Sequence, residues 1–247
     1  MVCGSAVAAL LLSSCVPEGS PRADGGAPSA AKPAQPQLAR PRVPDAGAAP
    51  SAPLTSTFED TFERAELGPD WSALSPKWRI SGGRLCARGA KNRGVWLLRR
   101  LPVNARVEFD AYSESTDGDL KAEIWGDGAS GATGRSYTNA TSYLTILGGW
   151  KNSKHVLARL DEHGDDRLEI DVEPNSDDER ARPVEAGQPY HFLIERSDGK
   201  TVQWSVNGQS YFELADPAPL SGAGHEHLGF NEWEAPVCFD NVKVTPL

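Results

Sequence analysis

Residues 190–209 read YHFLIERSDGKTVQWSVNGQ, and two runs of alternating apolar and polar residues lie on either side of a turn signal. Val202, Trp204 and Val206 occupy every second position of the later run, so a β-strand would point all three side chains to one side. Residues 197–200 (SDGK) and the dipeptide Asn207-Gly208 are turns that tolerate positive φ. The stretch therefore predicts consecutive antiparallel strands with one buried face.

The same pattern extends along much of the chain, with a turn signal about every ten residues. In residues 105–115, for example, Val107, Phe109 and Ala111 share one side. No segment predicts a helix of convincing length, and the alternation predicts an all-β fold of two packed antiparallel sheets. We predict strands near 77–81, 84–88, 94–101, 105–115, 119–127, 141–149, 154–161, 166–173, 189–197, 201–207, 210–214, 226–231 and 237–245.

The charge of the chain argues against one class of partner. It carries 25 Lys and Arg against 34 Asp and Glu, which gives a formal net charge of −9 at pH 7. Nucleic-acid binding needs clustered Lys and Arg to contact phosphates. We therefore predict that the protein does not bind nucleic acid.

The N-terminus predicts export and lipid attachment. Residues 12–15 (LSSC) close a short apolar run and resemble a bacterial lipobox, which makes residues 1–14 a lipoprotein signal peptide and Cys15 the lipidated residue. The alternative is a disordered, Ala-rich N-terminus with an unmodified cysteine, because no Lys or Arg precedes Arg22. No other stretch is apolar enough to span a membrane, so the lipid would be the only anchor.

Residues 15–54 are rich in Pro and Ala and cannot bury enough apolar surface to fold, so we predict a disordered tether there. Residues 55–247 form the folded domain. Val16 follows the cysteine, and in a Gram-negative source this predicts attachment to the outer membrane of the cell envelope.

Two cysteines, Cys86 and Cys238, fall within the folded domain. In an oxidising compartment they predict a disulfide. Two buried thiols are the alternative.

Six segments carry a resemblance to a known superfamily: residues 58–62 (FEDTF), 67–71 (LGPDW), 78–80 (WRI), 190–196 (YHFLIER), 202–209 (VQWSVNGQ) and 237–244 (VCFDNVKV). In these segments the chain resembles the concanavalin A-like superfamily of jelly rolls, which contains laminin-G-like modules, lectins, laminarinase- and lichenase-type glycosidases, and 3-keto-disaccharide hydrolase-like domains. The resemblance implies a two-sheet antiparallel jelly-roll sandwich, and it leaves function open because one scaffold supports binders and enzymes alike.

Residues 169–173 (EIDVE) are similar to the E-[ILV]-D-x-E strand of the laminarinase–lichenase family. That resemblance implies Glu169 as nucleophile, Glu173 as general acid/base and Asp171 as the residue that helps to set their protonation. The order of strands argues against it, because the segment lies immediately before the strand of Tyr190 rather than two strands before. The alternative is a solvated edge strand of alternating charge.

Aromatic side chains offer a different kind of site. Sugars are recognised by aromatic rings against their apolar faces and by nearby polar groups. Trp150 and Trp233 are the preferred stacking residues, while Trp71, Trp78, Trp96 and Trp204 are expected to pack in the core or at its rim. Further candidates for glycan binding are Tyr143, Asp119, Lys121, Glu123, Asn231 and Glu232, with Trp125 and Tyr137 as weaker ones.

Metal signals are sparse. Asp240 resembles the closing-strand Asp that ligates a structural calcium ion in lichenase-type enzymes, and a turn-capping Asp-Asn pair is the alternative. His225 and His227 could share one strand face, but a zinc site would need a further ligand. Structural calcium is the one cofactor that the resemblance suggests.

Three functional hypotheses follow. The first is an envelope-displayed glycan-binding or adhesion module whose partner is a saccharide. The second is a retaining glycoside hydrolase that acts through Glu169 and Glu173, or through Glu123 and Glu232. The third is a structural envelope lipoprotein without a small ligand. The sequence predicts no oligomeric state.

Overall fold

Two antiparallel sheets pack face to face in the computed structural model, which describes residues 52–247. This arrangement confirms the predicted two-sheet jelly-roll sandwich. The predicted signal peptide, Cys15 and the tether up to residue 51 lie outside the described residues. Within residues 52–247, no helix is long and apolar enough to cross a membrane.

The first sheet has eight strands, numbered here along the chain. They are β1 (Phe58–Asp60), β3 (Arg79–Ser81), β4 (Arg84–Ala87), β6 (Ala105–Ser113), β11 (Pro189–Arg196), β12 (Thr201–Val206), β13 (Gln209–Ala215) and β15 (Val237–Pro246). Their order is β13-β12-β11-β6-β15-β4-β3, and β1 pairs with β15. The hairpin predicted from residues 190–206 forms β11 and β12.

The second sheet has seven strands in the order β10-β9-β8-β7-β14-β5-β2. They are β2 (Trp71–Ala73), β5 (Val95–Leu97), β7 (Leu120–Gly126), β8 (Tyr143–Gly148), β9 (Lys154–Arg159), β10 (Leu168–Asp171) and β14 (His227–Asn231). We call its side that points away from the first sheet the outer face. Two short helical turns, α1 (Gly149–Asn152) and a 3-10 turn (Glu179–Ala181), complete the described elements.

The core lies between the inner faces of the two sheets. Phe109 of β6 stacks on Phe192 of β11 at 4.8 Å and meets Phe230 of β14 edge-on at 5.0 Å, so the aromatic contacts join both sheets. Each fully buried phenylalanine stabilises the fold by roughly 1.5–3 kcal/mol. Val202, Trp204 and Val206 are buried as predicted, and so are the three apolar residues of β6.

The sequence pattern missed β1 and β2, which are three residues each and too short to show alternation. Side-chain contacts hold them instead. Asp60 accepts hydrogen bonds from the backbone N–H of Phe62, the guanidinium of Arg64 and the indole N–H of Trp71. One buried carboxylate therefore fixes the start of the domain.

A disulfide joins β4 to β15. Cys86 and Cys238 are register partners in adjacent strands, and the bridge spans 152 residues of sequence. Closing so long a loop restricts the unfolded chain, which is worth about 5 kcal/mol in the loop-entropy description.

Candidate functional site

A cavity of about 650 Å³ opens on the outer face of the seven-stranded sheet. That volume falls within the range of about 300–1,000 Å³ that small-ligand sites occupy. The cavity lies where β7 begins and where β8 and β14 end, because antiparallel neighbours place those three points at the same end of the sheet. Segments far apart in sequence therefore line one site.

Trp150 enters the cavity from the turn α1, between β8 and β9. The turn has a left-handed backbone, with φ of 70° at Gly148, 51° at Trp150 and 58° at Lys151. Such φ values are costly for a bulky residue and persist only where the surroundings enforce them. Trp150 is 36% exposed, and it contacts the ring of His163 edge-on and the guanidinium of Arg167.

Asn152 supplies part of that enforcement. Its amide nitrogen donates to the carbonyls of Thr116 (3.0 Å) and Val184 (2.8 Å), and its Oδ1 accepts from the N–H of Val184 (2.9 Å). The turn that carries Trp150 is therefore tied to two neighbouring loops.

His155 of β9 also holds the left-handed turn in place. Its Nδ1 accepts from the N–H of Gly148 at 2.9 Å, so Nε2 carries the proton and donates to the carbonyl of Arg182 at 3.1 Å. Burial lowers the pKa of His155 to about 4, which keeps the ring neutral and this bonding pattern intact at neutral pH.

Trp233 lies on the opposite side of the cavity, in the loop after β14. Its backbone N–H donates to Asp119 Oδ2 at 2.6 Å. Lys91 Nζ lies 4.4 Å from the ring centroid and forms an ion pair with Glu234. The second tryptophan is thus fixed through its backbone and through a cation over its ring.

Lys121 forms the floor of the cavity together with three polar partners. Its Nζ lies 3.0 Å from Asn92 Oδ1, 3.0 Å from Glu162 Oε2 and 3.7 Å from Asp119 Oδ1. Burial lowers the pKa of Lys121, but the carboxylates of Asp119 and Glu162 outweigh it and leave that pKa above its ordinary value. Burial also raises the pKa of Asp119, although Lys121 opposes this. The floor is charged and largely dehydrated.

Glu123 occupies the next outward position of β7, but it lies outside the cavity lining. Its carboxylate accepts from Tyr137 OH (2.8 Å), Ser142 Oγ (2.8 Å) and Asn231 Nδ2 (2.7 Å), all of them buried. Burial raises the pKa of Glu123 to about 7. This side chain anchors the segment that covers it.

Glu232 is also fully buried. Its Oε1 accepts from the N–H of Ala90, while its Oε2 has no hydrogen-bond partner. Burial raises the pKa of Glu232 to about 7. Like Glu123, it anchors a loop beneath the surface of the cavity.

The structure thus divides the predicted glycan-binding residues. Four of them line the cavity: Trp150, Trp233, Asp119 and Lys121. Three lie beneath it in hydrogen bonds: Glu123, Asn231 and Glu232.

The prediction of Tyr143 as a glycan-binding residue is wrong. It faces the core, is fully buried, and donates its hydroxyl to Asp216 at 2.6 Å. Trp125 likewise packs in the core, because its φ of 55° beside a bulge in the β7–β14 pairing turns the ring away from the outer face. Neither residue contacts the cavity.

The catalytic interpretation of Glu169, Asp171 and Glu173 also needs correction. Strand β10 is the edge of its sheet, and Lys154 Nζ binds Glu169 at 2.7 Å and Asp171 at 2.8 Å. Glu173 is exposed and lies beyond the end of the strand. The segment is a solvated edge strand of alternating charge, and its geometry does not support the catalytic interpretation.

The metal candidates have other partners. Asp240 Oδ1 accepts from the N–H of Asn241 at 2.7 Å, as a turn cap does, and Arg84 lies 4.0 Å from Oδ2. His225 and His227 bind the backbone carbonyls of Thr141 and Leu97. In residues 52–247, no group of three His, Cys, Asp or Glu side chains could hold a metal ion. The calcium expectation for Asp240 therefore has no support in the geometry.

Sequence reasoning missed Asn92, Glu162 and His163, which complete the cavity. They lie in irregular loops without any periodic pattern. The contact between Glu162 and Lys121 arises only when the loop after β9 folds back across the sheet. No local signal marks that event.

No family model and no curated protein matches this chain. Solved structures resemble it in fold. The β-glucanase of Bacillus licheniformis has a TM-score of 0.52 at 9% identity, covering 78% of this chain and 99% of that chain. The carbohydrate recognition domain of Emp47p has a TM-score of 0.52 at 11% identity, covering 77% and 95%. A β-1,3-1,4-glucanase (lichenase) from a mouse hindgut metagenome has a TM-score of 0.51 at 9% identity, covering 78% and 100%. The chain therefore has the concanavalin A-like fold.

The buried carboxyl of Glu123 predicts an unusual pH dependence of stability. The folded protein holds its proton up to about pH 7, whereas the unfolded chain releases it near the ordinary pKa of 4.5. Raising the pH between these values therefore lowers the free energy of unfolding, by roughly 3 kcal/mol for this carboxyl. Urea unfolding at a series of pH values measures the slope. Glu123→Gln should make the slope less negative by the share of this carboxyl, whereas Glu232, whose pKa is also raised, and His155, whose pKa is lowered, keep their own contributions. Exposed Glu66→Gln is the control, and an unchanged slope in Glu123→Gln would contradict the assignment.

Proposed function

We propose that this domain binds a glycan in the cavity on its outer face. The observation that carries the proposal is that Trp150 and Trp233, which come from separate loops, line one cavity whose floor is the buried group of Lys121, Asp119 and Glu162. Aromatic walls around a few fixed polar groups are what a sugar with apolar faces and polar edges requires.

Each part of the cavity has a distinct role in this proposal. The two indole rings pack against pyranose faces. Asp119 and Glu162 accept hydrogen bonds from sugar hydroxyls, and Lys121 donates one. Because the ring of Trp150 already contacts Arg167 and His163, little side-chain entropy is lost when a ligand binds.

The fold neighbours are consistent with a saccharide ligand. They include a carbohydrate recognition domain and two glucanases. At identities of 9–11% they support the class of ligand but select no particular sugar.

Removal of either tryptophan tests the binding function. Trp150→Ala and Trp233→Ala should each weaken binding on a glycan array by about 2 kcal/mol or more, roughly 30-fold, because each deletes a central aromatic anchor. Val103→Ala is the matched control, since Val103 is also an exposed apolar residue (47%) but lies outside the cavity lining. Wild-type binding by both tryptophan variants would sink the proposal that the cavity is the binding site. If the wild-type protein binds no glycan on the array, the structural role without a small ligand would be preferred.

Hydrolysis of a glycan is the second candidate. Asp119 Oδ1 and Glu162 Oε2 lie 3.7 and 3.0 Å from the same Lys121 nitrogen. The two oxygens are therefore less than about 7 Å apart, a bound that includes the separation of roughly 5–5.5 Å that retaining glycosidases use. Burial raises the pKa of Asp119, which is the direction that a general acid needs. Binding is the preferred function because Lys121 already occupies both carboxylates.

The enzymatic alternative predicts release of reducing ends from a panel of β-glucans, abolished by Asp119→Asn. Asp117→Asn is the matched control, because Asp117 lines the same cavity but is exposed. Absence of product from the wild-type protein, at enzyme concentrations where the array shows binding, would eliminate hydrolysis of these substrates and leave the binding function.

The proposed setting is display from a membrane. Residues 12–15 (LSSC) resemble a lipobox, so Cys15 carries the lipid, and the Pro- and Ala-rich residues 16–54 hold the domain away from the cell envelope, which is the outer membrane in a Gram-negative source.

Expression in a Gram-negative host tests the anchor. The wild-type protein should sediment with membranes and be extracted by detergent, whereas Cys15→Ser should lose the lipid and appear in the soluble fraction. Cys3→Ser is the control, because Cys3 lies within the predicted signal peptide. Membrane recovery that is equal for Cys15→Ser and the wild type would rule out lipid attachment at this residue.

A further inference from the structure

We infer that the cavity receives the free end of a glycan chain, or a short oligosaccharide, rather than the interior of a long polymer. This inference rests on the proposed glycan binding and specifies its substrate class. It follows from how the cavity is bounded.

One boundary is a wall of three loops, residues 88–94, 127–142 and 160–167, which we call the loop wall. The N–H of Ala132 donates to the carbonyl of Asn92 at 2.8 Å. The N–H of Tyr137 donates to Glu162 Oε1 at 3.2 Å, and the N–H of Glu162 donates to the carbonyl of Tyr137 at 3.1 Å. Backbone hydrogen bonds therefore join the three loops to one another.

The loop wall is also bound to the sheet beneath it. Tyr137 is fully buried, and its hydroxyl donates to the carboxylate of Glu123. Gly229 of β14 pairs with Glu123 on one side and with Trp96 of β5 on the other, so Trp96 also lies on the outer face. The indole N–H of Trp96 donates to the carbonyl of Ser130 at 2.9 Å. These anchors cover the outer face beyond the cavity, so a ligand cannot continue across the sheet in that direction.

The two tryptophans bound the cavity on its sides. Trp150 is backed by His163 and Arg167, and Trp233 is backed by Lys91. The remaining side is the turn residues Asp117 and Lys151, which are exposed. A polymer bound through its interior must leave a site at two places, whereas the loop wall and the two tryptophans bound this cavity on three sides.

The polar groups of the cavity beside the loop wall, which we call its closed end, suit the terminal sugar of a chain. The dehydrated groups of Lys121, Asp119 and Glu162 lie next to the loop wall. A terminal sugar carries a free hydroxyl where an internal sugar carries a glycosidic link. Sites built to hydrogen-bond a hydroxyl strongly reject analogues that lack it, because the buried polar groups are left unpaired. The closed end therefore discriminates an end from an interior position.

Chain length at constant mass provides the test. Soluble β-1,3-1,4-glucan, β-1,3-glucan and mannan are each cut by partial acid hydrolysis into a series of mean lengths, coupled at equal mass to a surface, and saturated with the full-length protein in detergent. For any polymer that is bound, halving the mean chain length should double the captured protein, because the number of ends doubles. Trp150→Ala is the matched variant and should need roughly 30-fold more protein than the wild type for the same capture at every length.

Capture that stays constant as the chains are shortened would overturn the inference and leave glycan binding standing. Capture by Trp150→Ala that equals the wild type's at every protein concentration would also overturn it, since the binding would then lie outside the cavity. If none of the three polymers and no glycan on the array is bound by the wild type, the proposed function fails and this inference fails with it.

Discussion

A buried ammonium group needs compensating charge, and Lys121 is 3% exposed on the outer face of its sheet. Leaving such a charge unpaired would cost several kcal/mol. Asp119, Asn92 and Glu162 provide the compensation, and they come from three different connections between strands. The cavity floor, the closure of the loops over the sheet and the position of Trp233 on Asp119 all depend on this one arrangement.

The walls of the cavity depend on a second constraint, the left-handed turn that presents Trp150. Its backbone is strained, so its neighbours must hold it. Asn152 and the neutral ring of His155 do so through hydrogen bonds to the adjacent loops. A tryptophan that is both partly exposed and rigidly held is suited to ligand contact, because its rotamer is already selected.

The sequence predicted the sandwich and the inward residues of its longer strands, whereas the glycan-binding residues stay a prediction. Trp150, Trp233, Asp119 and Lys121 line one cavity, as expected from aromatic and polar residues near the sheet. The E-[ILV]-D-x-E resemblance implied catalytic roles for residues 169–173 that the geometry does not support. A five-residue pattern carries no information on whether its strand is central or at the edge of a sheet. Trp125 was predicted on the outer face, but a bulge in the β7–β14 pairing turns its side chain into the core.

Strand alternation is a local property, so the sequence by itself determined the fold class, the buried faces and the pairing of the long hairpins. The site is not local. Trp233 and Asp119 are 114 residues apart, and Lys121 and Glu162 are 41 apart, yet each pair is in contact. Only the tertiary structure decided which loops meet, because their contacts follow from the need to pair buried polar groups, and that need exists only once the sheet has formed.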